Sequence, residues 1–92
     1  MKSKTAKIEQ KVVINNEAGH FARVLIEPWA EEVSISPGDK VSFTGNGPAT
    51  GACFELEFGK DLLIVHAWPG AKVMVRHNDT VLETASKDIE AI

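Results

Sequence analysis

The chain has little of what marks a membrane protein, a secreted protein or a metalloenzyme. It holds a single cysteine, Cys53, among 92 residues, so no internal disulfide can form, and no apolar stretch near its start has the length of a signal-peptide core. A cytoplasmic protein is the expectation. The longest apolar run, Leu62 to Val65, is far too short for a membrane-spanning helix, and no membrane partner is expected. Positive charge is not in excess: ten Lys and Arg stand against thirteen Asp and Glu, a net charge of -3, whereas phosphate neutralisation needs clustered cations. No nucleic-acid partner is expected. Close ligand pairs are missing too, since His20, Cys53, His66 and His77 are scattered, while zinc sites use donors a few residues apart. No metal and no other cofactor is expected.

What is present is an ordinary globular composition, 43% hydrophobic and 25% charged, which predicts a packed domain rather than a disordered chain. Lys2, Lys4, Lys7 and Lys11 make a thin basic N-terminus, read as a solvated arm over residues 1–7. A single β-domain is expected over 8–84 and a tail over 85–92. In that tail Ser86 is placed to cap one helical turn, with Ile89 and Ile92 on related faces.

The chain is organised around Val33-Ser34-Ile35-Ser36-Pro37-Gly38-Asp39-Lys40-Val41-Ser42-Phe43. Two alternating runs, each with the period of a half-buried strand, flank a Pro-Gly-Asp turn. Pro37 presets φ at the first turn position and Gly38 supplies a positive φ at the second, so Ser36 to Asp39 reads as a type II turn. Such a turn splays its strands, which predicts a corner between two sheets rather than a hairpin.

Around it, Ile8 to Ile14 reads as a strand, and Phe21 to Glu27, apolar at nearly every position, as a central one stopped by Pro28. Gly45 to Ala52, with three glycines and a proline, reads as the longest loop. Phe54, Leu56 and Phe58 alternate with Glu55 and Glu57 as a strand with one wet face, and Leu62 to Ala67 forms the most apolar strand. Trp68-Pro69-Gly70-Ala71 turns into Lys72 to His77, and Asn78-Asp79-Thr80 turns into a short last strand. The fold class is therefore all-β, a two-layer antiparallel β-sandwich or small barrel of seven to eight short strands.

The same pattern weighs against several chemistries. If Trp68 to Ala71 is a four-residue hairpin loop, His66 pairs with Val73 and His77 lies about 13 Å further along that face, too far for one ion; a loop shorter by one residue puts the imidazoles on opposite faces. Cys53 and the serines lack the context of an activated nucleophile. Glu31 with Glu32, and Glu55 with Glu57, are the residue type for paired-carboxylate catalysis, but exposed glutamates ordinarily form a solvated face. No enzyme is expected.

Val33 to Phe43 resembles the strand-turn-strand of cupredoxins and other sandwich families. The resemblance implies architecture only, because no histidine lies between Phe43 and Cys53 and the residues after Cys53 are not copper ligands. Glu27-Pro28-Trp29 and Trp68-Pro69-Gly70 are similar to segments of small uncharacterised bacterial β-proteins, and that likeness implies no activity.

Two features remain. Trp29 and Trp68 sit at strand ends beside proline, and tryptophan there suits either core packing or a binding surface. Leu62 and Ile64 oppose Leu63 and Val65 in parity, as Phe21 and Leu25 oppose Val24 and Ile26, so in a thin sandwich one apolar face needs a cover from outside. The leading expectation is a non-catalytic accessory protein that acts by self-association or protein binding, forming a homo-oligomer. The alternative is a small-molecule site walled by Trp29 and Trp68, with Glu31, Glu32 or His20 as polar partners.

Overall fold

A computed structural model describes residues 6–92 as two four-stranded sheets packed face to face. The first sheet has the order β1 (Lys7–Asn15), β4 (Lys40–Pro48), β7 (Lys72–His77), β8 (Thr80–Val81). The second has the order β3 (Glu31–Ser34), β2 (Phe21–Glu27), β6 (Asp61–His66), β5 (Glu55–Gly59). The strands form two sheets rather than one closed barrel. Lys2 and Lys4 of the expected arm lie outside the described residues, while Lys7 is the first residue of β1 and faces Pro48.

The alternation in each strand divides it between core and surface. Val24 and Ile26 of β2, Leu63 and Val65 of β6, Val41 and Phe43 of β4, and Val73 and Val75 of β7 are fully buried between the sheets. Phe21 joins them instead of following the parity of Leu25, because a register shift between Phe21 and Arg23 turns it inward. Leu56 and Phe58 also lie on the inner side of β5, opposite Val65 and Leu63, but at the sheet edge Phe58 stays 70% exposed and rests on Phe21 with ring centroids 5.8 Å apart.

The predicted corner is present. Asp39 N–H donates to Ser36 O at 3.0 Å and Gly38 takes φ +90°, which is the positive value a type II turn requires. The chain leaves the second sheet with β3 and enters the first with β4. The expected hairpin from β7 to β8 is present but tighter and shorter than the expected turn Asn78 to Thr80 and strand Val81 to Thr84: Thr80 already pairs with His77, β8 ends at Val81, and Asn78 and Asp79 both have positive φ, the type I′ geometry that matches strand twist.

Three expectations are corrected. The sheets are not wholly antiparallel, since β2 and β6 run parallel. Trp68 to Ala71 is not a hairpin loop; it is a second crossing, from β6 in one sheet to β7 in the other, so His66 and His77 lie in different sheets. Gly45 to Ala52 is not one long loop, because β4 runs through to Pro48. The tail does make one 3-10 turn, Ala85–Lys87, but Thr84 occupies the cap position and Ser86 is buried inside the turn. Ile89 and Ile92 are exposed, and Ala91 is the residue that docks.

Candidate functional site

Because β2 and β6 are parallel neighbours, they end side by side, with Ala67 N–H donating to Glu27 O at 3.0 Å. Both tryptophans therefore leave the same end of the sandwich. Trp68 is 2% exposed, donates its indole N–H to Pro48 O at 2.9 Å and meets Phe54 edge to face at 5.2 Å. Its ring lies across β4, where a Cβ on Gly45 would come within 2.8 Å of Trp68 and Phe54, and one on Gly47 within 2.7 Å of Ala71. Gly45 and Gly47 share the inner side of the strand, so their missing side chains leave a bare strip that admits the indole.

Trp29 occupies a different setting. It is half-buried against the core and donates its indole N–H to Ile89 O at 3.0 Å. The tail beyond it is tied across this end of the molecule. Glu31 accepts from the amides of Ala85 and Ser86, Ser86 Oγ donates to Val73 O at 3.1 Å, and Ala91 exchanges amide bonds with Gly70 and Ala71. Trp29, Glu31 and Trp68 thus each hold backbone in place, and both indole donors are taken.

His20 and Glu32 are elsewhere. His20 is exposed just before β2, with its ring 6.5 Å from Phe21. Glu32 lies on the outer side of β3 and pairs with Arg23 at 2.9 Å. The five candidate residues do not converge on one pocket. A cavity of about 170 Å³ opens beside Trp68, walled also by Gly51, Cys53, Glu55, His66, Ala67 and Pro69. Trp29 is not among its walls. Within it Cys53 donates to the neighbouring Phe54 O at 3.3 Å, and His66 is held 2.6 Å from Glu57.

The outer side of the second sheet is the larger feature. Strand pairing sets Glu32, Leu25, Ile64 and Glu57 in one row across β3, β2, β6 and β5. The next row one way carries Ser34, Arg23, Leu62 and Gly59; the next row the other way carries Glu27, His66 and Glu55. Leu25, Leu62 and Ile64 are therefore contiguous, half-buried only by their neighbours, with no layer over them among the described residues. Glutamates rim this apolar centre. Parity in the sequence already pointed to these three side chains.

Sequence reasoning missed the polar cluster at the opposite end. Asn16, 2% exposed, donates through Nδ2 to Phe21 O at 2.8 Å and Ser36 O at 3.1 Å, and accepts from Phe21 N–H at 3.1 Å. Beside it, Asn78 Nδ2 donates to Asp39 Oδ1 at 3.0 Å, and Oδ2 takes His77 Nε2 at 2.7 Å and Ser36 N–H at 2.8 Å. These bonds to Asn78, His77 and Ser36 hold the Asp39 carboxyl at about 2, below its ordinary 3.8. The only local signal was an Asn ending a strand before a glycine turn.

Among the described residues no three His, Cys, Asp or Glu side chains converge to hold a metal ion, and no helix is long and apolar enough to cross a membrane. No family model matches the chain, and no curated protein and no solved structure matches it either.

Proposed function

We propose that this chain is a non-catalytic accessory protein that acts by binding protein surfaces, its own among them, through the outer face of the second sheet. One observation carries this reading: Leu25, Leu62 and Ile64 form a contiguous apolar centre on a sheet face with nothing stacked on it among the described residues, bordered by Glu27, Glu32, Glu55 and Glu57 and, on the remaining side, by Arg23. An apolar centre with a charged rim is the anatomy of a protein interface. The occupied donors of Trp29 and Trp68 support the same reading, because neither indole offers a free polar handle to a ligand. A cytoplasmic setting, from the single cysteine, and a likeness to small bacterial β-proteins complete the proposal.

The second reading, a small-molecule site, has the cavity beside Trp68 in its favour. At about 170 Å³ that cavity is below the usual range of ligand pockets, roughly 300–1,000 Å³. The test is sedimentation velocity from about 1 to 100 μM, a span that covers weak and moderate association. Wild type is expected to sediment faster than a 10.0 kDa monomer, and Ile64→Lys to return it to monomer with an unchanged far-UV circular dichroism spectrum. A wild type that stays monomeric throughout overturns self-association.

A further inference from the structure

Among the described residues the outer face of the first sheet is also uncovered, and its charge is opposite. Pairing places Lys11, Thr44 and Met74 in one row across β1, β4 and β7. The rows on either side carry Val13, Ser42, Arg76 and Val81, and Glu9, Asn46 and Lys72. Lys40 and Lys7 lie beyond them on the same side. Five cations, all exposed, thus share this face with one carboxylate, Glu9, although the chain as a whole carries a net charge of -3. The other face carries four glutamates against Arg23.

We infer that the partner of the second sheet's outer face is the first sheet's outer face of another copy of this chain, so that copies stack head to tail. This inference rests on the self-association proposed above and names the surface that meets it. Spacing agrees with charge. With strands about 4.8 Å apart, Glu32 and Glu57 stand about 14 Å apart across Leu25 and Ile64. On the other face Lys72 and Arg76 bracket Met74 along β7 at about 13 Å, and Lys11 lies about 10 Å across from Met74. Met74 can therefore sit over Leu25 and Ile64, with Lys72 and Arg76 on either side of it meeting Glu32 and Glu57, when β7 of one copy crosses β2 and β6 of the next. No aromatic side chain lies on the cationic face to stack a nucleic-acid base. Two copies of either face meeting each other would juxtapose like charges, which disfavours a two-fold dimer through one face. A contact between different faces is heterologous, and it leaves one face free at each end of the stack, so it propagates or closes into a ring.

Charge reversal tests this. K11E/R76E reverses the first face and E32K/E57K the second. Each alone is expected to raise the concentration needed for assembly at least about tenfold, with circular dichroism and melting monitored for folding. Mixed in equal amounts they are expected to assemble again, because each reversed face then finds its complement on the other variant. K60E/K87E changes net charge as K11E/R76E does but lies in the β5–β6 turn and the C-terminal turn, and is expected to assemble as wild type. For wild type itself, raising salt from about 50 to 500 mM should weaken assembly. If K11E/R76E assembles as well as wild type, or if the mixture stays dispersed, or if salt has no effect, head-to-tail stacking is overturned while self-association stands. A monomeric wild type removes both.

Discussion

Ser36-Pro37-Gly38-Asp39 and Trp68-Pro69-Gly70-Ala71 carry the chain from the second sheet to the first at opposite ends of the sandwich, and they do so with one backbone turn. Gly38 and Gly70 have φ of +90° and +86°, and in each the fourth amide donates to the first carbonyl, at 3.0 and 3.1 Å. What secures them is different. The first is held by polar groups, Asn16 beneath it and Asp39 with His77 and Asn78 beside it. The second is held by an indole pressed onto a strip of β4 that has no side chains. Pro-Gly supplies the turn; the side chains around it decide where the next strand goes.

The largest effect is expected at the indole. Trp68→Ala should cost about 3–5 kcal/mol of unfolding free energy, the usual result of emptying a buried tryptophan site. Gly45→Ala should cost about 1–3 kcal/mol by overpacking, since its new methyl would meet two rigid rings. The double variant sharpens the comparison: with the indole gone, Gly45→Ala should lose most of its penalty, giving a coupling of about 1–2 kcal/mol in urea unfolding. Additive values would show that the strip and the ring do not act together.

At the polar corner the expected losses are below that of Trp68→Ala. Asn16→Ala removes two donated bonds and leaves the Phe21 amide without its acceptor, which should cost about 2–3 kcal/mol by the same measurement. A loss under about 0.5 kcal/mol would mean that water replaces the side chain. Asp39→Asn should have the smallest effect, and it should depend on pH. The Asp39 carboxyl is held at about 2 against an ordinary 3.8. Its ionised form therefore stabilises the fold above about pH 4, and that contribution is lost as the pH falls through about 2. The stability gap between wild type and Asp39→Asn should close as the pH falls from about 4 towards 2. A gap that persists at pH 2 would assign the effect to shape rather than charge.

The contrast between the corners also shows what was legible in the sequence. Val33 to Phe43 could be read because its turn chemistry and its alternation are both local. Trp68 to Ala71 has equally clear turn chemistry, yet a hairpin and a crossing are indistinguishable until the strip under the indole is known. That strip was present as Gly45-Asn46-Gly47, two glycines at a spacing that shares a strand face, but three glycines and a proline together look like a loop. Parallel pairing of β2 with β6 carries no local signature, since it follows from the whole path of the chain. The apolar outer centre at Leu25, Leu62 and Ile64 was legible from parity alone, whereas its opposite number was not. The cations of the first sheet come from β1, β4 and β7, far apart in sequence, and gather only when those strands pair.

The parallel contact between β2 and β6 bears on how quickly this chain reaches its native state. It joins Phe21 to Asp61 and Glu27 to His66, about 40 residues apart along the chain. The hairpins β2–β3, β5–β6 and β7–β8 close short loops and can form early, but the middle of the second sheet must wait for a far longer loop to close. Loop closure on that scale precedes any return from burial, which puts folding in the millisecond-to-second range and lets the hairpins appear before the sandwich closes.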